Sequence, residues 1–280
     1  MNVNDFEYIA ELLYKRSGLV ITQEKAYLLE SRLNPVARKW ELDGFETLIS
    51  QMRAKNDERM LVDVTEAMTT NESFFFRDNR PFDQFKDVVL PHLTENRKAQ
   101  KKVRIWSAAC SSGQEPYTLA MILKEEAAKL AGWTIEIVAT DLSNEILSKA
   151  QEGLYSQFEV QRGLPITLLM KYFTQEGDKW RISDEIKQMV KYKPFNLLDD
   201  PGALGRFDVV FCRNVLIYFD QETKGKVLDR VAKIMPDDGF LYLGGAETVL
   251  GICDSFEVIP GQRGVYQLTK GSQAAELKAG

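Results

Sequence analysis

The stretch Val103 to Tyr117, Val-Arg-Ile-Trp-Ser-Ala-Ala-Cys-Ser-Ser-Gly-Gln-Glu-Pro-Tyr, has the residue types of a ligand-binding turn. A β-leaning run from Val103 to Trp106 gives way to small residues from Ser107 to Gly113, and Pro116 stands where the first turn of a helix tolerates it. Small side chains let a ligand approach the backbone, and the unpaired N–H groups of a helix N-terminus face it. A nucleotide-like ligand fits such a turn. With a single glycine the dinucleotide fingerprint is absent, and Glu115 in the first helical turn repels a pyrophosphate. The turn therefore suits a cationic or neutral adenosyl ligand, although an ordinary strand-to-helix connection in an α/β protein carries similar residues.

A second acid stands at the end of another β-leaning run, Thr134-Ile-Glu-Ile-Val-Ala-Thr140, followed by Asp141. At the carboxyl end of the second strand of a βαβ unit, an acidic residue can accept both hydroxyls of a ribose. Asp141 equally suits the N-cap of the next helix, as does Ser143. The only histidine, His92, follows Pro91 in an amphipathic run and reads as structural. Its uniqueness leaves little room for triad or multi-histidine metal chemistry, and no metal site is expected. Cys110, Cys212 and Cys253 are isolated, without zinc or disulfide spacing, and read as buried apolar residues.

These residues need elements to position them. The first 70 residues read as helices broken by Gly18 and Gly44, with Pro35 expected to kink or divide the second, which begins after Thr22. That second helix carries Arg32, Arg38 and Lys39, either a solvated face or a docking surface for an acidic partner. Thr-Thr-Asn-Glu-Ser-Phe-Phe-Phe-Arg follows at Thr69 to Arg77. Three consecutive phenylalanines cannot all face one core from a single regular element, so some must pack across a domain boundary or over a ligand. An amphipathic helix from Phe82 to Leu93 and a polar connector then lead into the first strand.

Beyond Asp141 the pattern is α/β, interrupted between Leu164 and Phe195 by a small β insertion whose turn is Glu176-Gly-Asp-Lys179. Phe207-Asp-Val-Val-Phe-Cys212 is the near-continuous apolar run of a central parallel strand. It ends in Arg213-Asn-Val-Leu-Ile-Tyr-Phe219. Phe240 to Ala246 is a further strand, and segments around Pro260-Gly-Gln-Arg form a closing hairpin. The expected division is a helical domain over 1–70, a linker and connecting helix over 71–102, a doubly wound, Rossmann-like domain over 103–270 and a disordered tail over 271–280. In such a sheet ligands bind beyond the carboxyl ends of the strands, where Ser107 to Glu115, Asp141, Asn196-Leu197 and Arg213-Asn214 all lie.

The 280-residue chain has globular composition, with 44% hydrophobic and 28% charged residues and a net charge of -5 that speaks against general nucleic-acid binding. No run approaches a membrane span and the first residues do not form a signal peptide, so a cytoplasmic protein without membrane insertion is expected.

From the helical region to Leu268 the chain resembles the chemotaxis receptor methyltransferase (CheR) family. The resemblance rests on residues 70 to 77, Trp106 to Tyr117, Ala-Thr-Asp at 139 to 141, Phe-Asn-Leu at 195 to 197 and, most specifically, Phe-Cys-Arg-Asn-Val-Leu-Ile-Tyr-Phe at 211 to 219. It implies an S-adenosylmethionine-dependent methyltransferase fold and transfer of methyl groups to receptor glutamates, with S-adenosylhomocysteine as product. By the same resemblance Asn71, Ser73, Arg77, Glu115, Asp141, Asn196, Leu197, Arg213 and Asn214 line the cofactor site. Arg77 and Tyr218 stand nearest the transferred methyl group, and Arg32, Arg38 and Lys39 face the acidic methylation helices of receptors held in membrane arrays.

Gln114 and Gly244-Gly-Ala-Glu247 depart from the family's usual Glu and Gly-His-Ser-Glu. The short turn at Glu176 to Lys179 implies no strong binding of a receptor C-terminal peptide, and a monomer is expected. Two other readings fit the fold: a methyltransferase with another acceptor, and a cofactor-binding protein that docks to receptors without turnover.

Overall fold

The computed structural model describes residues 2–269 of the chain. These form two compact units, one comprising the chain up to Thr70 together with Tyr218–Thr223, the other comprising Asn71–Ile217 and the chain from Lys224 on. The sequence had placed Tyr218–Thr223 with the second. The tail from Gly271, expected to be disordered, lies outside the described residues.

The helical unit contains α1 (Val3–Ser17), α2 (Ala26–Lys39), α3 (Phe45–Lys55) and α4 (Glu58–Met68). Local chemistry sets its ends: the Asn2 side chain accepts from Asp5 N at the start of α1, and Gly18, at φ 73°, closes it in the left-handed conformation that glycine adopts without steric cost. Leu13, Leu29, Leu33, Leu48 and Met52 meet in its core, each fully buried. Pro35 does not divide α2 into two elements; a 3-10 turn over Gln23–Lys25 precedes one helix that runs through it. The lost N–H bond is absorbed because α2 is held by packing against α3 and α4.

The second unit begins with Asn71 to Asn79, then α5 (Arg80–Gln84), a π turn (Phe85–Val89) and α6 (Leu90–Asn96). The single helix expected over Phe82 to Leu93 is thus bulged, just ahead of Pro91, which has no N–H to give an i−4 carbonyl. This segment is more than a linker, since Phe75, Phe82, Phe85 and Leu93 join the main core.

Strands β1 (Lys102–Ala108), β2 (Thr134–Asp141), β3 (Leu154–Ser156), β4 (Phe173–Glu176), β5 (Lys179–Ile182), β6 (Val190–Pro194), β7 (Val209–Cys212), β8 (Phe240–Tyr242), β9 (Phe256–Val258) and β10 (Val265–Leu268) make two sheets. The large one has the order β6-β2-β1-β7-β8-β10-β9, parallel from β6 to β8 and antiparallel at β10 and β9. Helices α7 (Gln114–Glu125) and α8 (Asn144–Glu152) follow β1 and β2, and α12 (Gln221–Lys233) connects β7 to β8. Between them lie the short α9 (Gln157–Gln161), α10 (Ile166–Tyr172) and α11 (Asp184–Lys187).

The small sheet, β3-β5-β4, is antiparallel. It opens at Leu154, ten residues ahead of the expected insertion, because a three-residue strand carries no readable alternation. Val190–Pro194, assigned by sequence to the insertion, instead forms the edge strand of the large sheet, where a terminal proline is tolerated. Phe75 packs edge-on against Tyr155 and Phe173, 5.0 and 5.6 Å between centroids, and so joins the insertion to the main core.

Candidate active site

Strand order reverses at β1, whose neighbours β2 and β7 are reached by connections running to opposite sides. At this switch point the carboxyl ends of β2, β1 and β7 deliver Asp141, the turn after Ala108, and Arg213 to one edge. Backbone conformations there are unusual: Ala109 and Ser111 have φ of 54° and 52°, and Gly113 has 91°. At Gly113 a Cβ would stand 2.7 Å from the Tyr192 hydroxyl, so the turn packs against β6 with no room for a side chain. Non-glycine residues persist in such conformations only where their surroundings over-determine them.

Asp141 is 6% exposed and accepts from Ser111 N at 2.9 Å and Ser143 N at 3.1 Å. The cap of α8 is Ser143, whose side chain accepts from Ile146 N, so Asp141 is released from the capping alternative. Ser111 Oγ donates to the Asn71 carbonyl at 2.8 Å, drawing the start of the Asn71 segment to the turn. Phe195 N donates to Asp141 O, and Asn196 Oδ1 accepts from Leu198 N at 3.1 Å in a local turn that places Asn196 and buried Leu197 at the end of β6.

Arg213 is the buried hub, with its side chain 1% exposed. One guanidinium nitrogen meets Glu115 Oε2 at 3.0 Å, and the other meets Asp78 Oδ2 at 2.7 Å and the Arg77 carbonyl at 3.0 Å. Glu115 Oε1 also accepts from Ser107 Oγ at 2.8 Å. Arginine suits this position because its planar fork carries five donors and stays charged. Its Nε is buried without a partner. Thus Asn71, Glu115, Asp141 and Arg213 are linked through the turn and through Asp78, a partner that sequence reasoning did not single out.

Arg77 itself turns outward, using Nη1 for the Glu72 carbonyl at 2.9 Å and lying over the Phe74 ring at 5.5 Å. Phe74 is also covered by Arg162, which pairs with the Glu72 carboxylate. The three phenylalanines therefore diverge: Phe75 inward, Phe76 against Phe82, and Phe74 between two guanidinium groups. Ser73 is half-buried in the same segment. Asn214 follows Arg213 at φ 60°, and Tyr218 ends a 3-10 turn, Leu216–Tyr218, its carbonyl accepting from Val20 N.

On α2 the three cations separate. Arg32 donates to the carbonyls of Met68 and Thr69 and to Thr70 Oγ1, serving the C-terminal end of α4, while Lys39 pairs with Asp63 at 2.8 Å. Arg38 is exposed. His92 contacts Asn96 and the Phe240 ring, a structural setting. Cys110, Cys212 and Cys253 are all buried, and burial pushes each thiol up, Cys253 to about 11. Among the described residues no helix is long and apolar enough to cross a membrane.

Residues 4–69 match the family model described as CheR methyltransferase, all-alpha domain, and residues 71–265 match CheR methyltransferase, SAM binding domain. The structure agrees with such a ligand: the small-residue turn leaves its backbone approachable, and its lining acids, Asp141 and Glu115, suit a sulfonium and ribose hydroxyls rather than phosphate. Fold and matches together define an S-adenosylmethionine-dependent methyltransferase.

Among curated relatives, the chemotaxis protein methyltransferase of Vibrio parahaemolyticus is 36% identical over 274 residues, covering 96% of this chain and 98% of that protein. Chemotaxis protein methyltransferase Cher2 of Pseudomonas putida is 37% identical over 270 residues, 95% of this chain and 98% of its own length. Chemotaxis protein methyltransferase 1 of Pseudomonas aeruginosa is 38% identical over 272 residues, with the same coverage. The chain belongs to the CheR methyltransferase family.

Proposed function

We propose that this protein transfers the methyl group of S-adenosylmethionine to glutamate side chains of chemoreceptors, forming glutamyl methyl esters for sensory adaptation. The observation that carries this reading is the match of both halves of the chain to the CheR domains. The residues at the switch point support it. Asp141 would accept the ribose hydroxyls, and Asn71, Ser73, Asn196, Leu197 and Asn214 would line the remainder of the ligand. Glu115, held between Ser107 and Arg213, would face its cationic end.

S-adenosylmethionine supplies an electrophilic methyl group on a sulfonium. The acceptor needs no general base, because a glutamate carboxylate, with a reference pKa of about 4.3, is already ionised at neutral pH. The chain's task is then alignment and exclusion of water, which favours a transition state in which opposite charges merge. Arg77 and Tyr218 orient the incoming carboxylate by hydrogen bonds; of the five N–H donors of Arg77, one serves the Glu72 carbonyl. The helical unit docks on the acidic methylation helices of receptors, with Arg38 as the open cation of α2 and Arg32 and Lys39 beside it. This contact recruits the protein to membrane-bound receptor arrays.

The protein acts as a monomer, takes no nucleic acid, and does not hold a receptor C-terminal peptide strongly, since β4 and β5 are joined only through Gly177-Asp178. Calorimetry that detects a micromolar peptide complex overturns this last point.

The test is transfer of labelled methyl from S-adenosylmethionine to cytoplasmic receptor fragments. Label released by mild base is expected, and Tyr218→Phe should lower kcat at least tenfold. Base-stable label would assign another acceptor, and unchanged turnover in Tyr218→Phe would remove the tyrosine from the mechanism.

A further inference from the structure

The four N–H groups that converge on Glu247 come from two different strand ends. Oε2 accepts from Asn214 N at 2.8 Å and Gly244 N at 2.6 Å, while Oε1 accepts from Val215 N at 2.9 Å and Ile217 N at 3.3 Å. Three of these donors lie in the loop that leaves β7, between buried Arg213 and Tyr218. The carboxylate arrives from the loop after β8, in a turn closed by Glu247 N on the Gly244 carbonyl at 2.9 Å. Because β7 and β8 are parallel neighbours, their carboxyl ends emerge side by side, and a residue on one loop can cap the other.

The loop after β7 needs such a cap. It runs into a single 3-10 turn, Leu216–Tyr218, whose leading N–H groups have no carbonyl within the turn to bond. Asn214 stands at φ 60°, in the left-handed region that asparagine enters more readily than most side chains. Gly244 completes the fit: a Cβ there would lie 2.6 Å from Asn214 Nδ2 and 2.7 Å from Glu247 Oε2, so the strand end packs directly on the loop. A carboxylate is the side chain this arrangement calls for, because it only accepts and offers about four lone-pair sites on two oxygens. A glutamine would turn an NH2 donor toward two of the N–H groups.

We infer that Glu247 is a positioning residue for methyl transfer: it holds the Asn214–Ile217 loop in the one conformation that presents Asn214 to the cofactor and leads the chain into Tyr218. The inference rests on the roles proposed above for those two residues. Glu247 acts through the backbone and touches neither substrate in this scheme.

The experiment compares Glu247→Gln and Glu247→Asp in the full chain, measuring kcat and KM with a receptor fragment and S-adenosylhomocysteine affinity by calorimetry. Glu247→Gln should lower kcat on the order of 100-fold, as a small displacement of reacting groups does. Product affinity should weaken about tenfold, the equivalent of one hydrogen bond. Glu247→Asp, one methylene shorter, reaches fewer of the N–H groups and should fall between. The decisive readout is the double variant: in a Tyr218→Phe background, Glu247→Gln should lower kcat by no more than about tenfold further, leaving the double variant close to Glu247→Gln alone, since the tyrosine contribution it organises is already gone.

Full multiplication of the two losses overturns the inference, as does wild-type behaviour of Glu247→Gln. Thermal melting monitors folding; if Glu247→Gln does not fold, Glu247→Asp carries the same comparison. Should the wild type fail to esterify receptor glutamates, the proposed reaction fails alone, and the calorimetric comparison still decides whether Glu247 organises the loop: weakened affinity supports it and unchanged affinity overturns it.

Discussion

The helical unit and the strand edge of the large sheet handle backbone and charge in opposite ways. In α1–α4 the left-handed residues sit at helix ends, as at Gly18 and Asn56, and the charged side chains stay at the surface. At the edge of β1, β2 and β7, Phe76, Asp78, Asn79, Ala109, Ser111 and Asn214 all take positive φ, and Arg213 and Asp141 are buried. The first region follows local rules residue by residue. The second holds conformations that only mutual contacts sustain, so removing one member strands the others.

The sharpest way to break this contrast is Arg213→Ala. It leaves Glu115, 13% exposed, without its charge partner, and a loss of about 3–5 kcal/mol is expected in urea unfolding. A loss below about 1 kcal/mol, the range of surface pairs, would erase the distinction between the regions. The helical unit supplies the milder test. Arg32→Ala removes hydrogen bonds to the end of α4 and should cost about 1–2 kcal/mol. Arg38→Ala should stay within about 0.5 kcal/mol of wild type while raising KM for the receptor. Equal stability effects for these two arginines would remove the structural role of Arg32.

The smallest effect lies at Glu136, where Lys191 and Arg104 lower the carboxyl to about 2. Its folded pKa lies below the unfolded value of about 4.3, so its contribution is present above that pH and disappears as the pH falls towards 2. Glu136→Gln should flatten the acid limb of thermal stability, lowering stability modestly in the neutral region and converging with wild type as the pH falls towards 2. An acid limb identical to wild type would place the pairing outside the stability of the sheet.

Much of this architecture was legible because its signals are local. Apolar runs such as Phe207 to Cys212 announce central strands, and helix ends announce themselves through Gly18 and Ser143. The three-residue strand at Leu154 escaped because it has no period, and the π turn before Pro91 escaped because a proline allows several outcomes. At the strand edge, the places of Asp141 and Glu115 were legible, one ending β2 and the other opening α7. Glu247 was not, since its meaning depends on β8 lying beside β7, a neighbour relation with no local trace. A cation on a helix face looks the same in sequence whether it meets another protein or, as Arg32 does, the carbonyls of Met68 and Thr69.

The cysteines carry one further consequence. Cys110 lies in the turn after β1 and Cys212 ends β7, both at the edge assigned to an alkylating cofactor. A thiolate is a far better nucleophile toward a soft methyl donor than the carboxylate this family modifies, and only the deprotonated form attacks. Burial pushes both thiols well above their usual range, so each keeps its proton and stays inert. The packing that builds the edge also insulates it chemically: the protein can handle a reagent able to alkylate sulfur without becoming its own substrate.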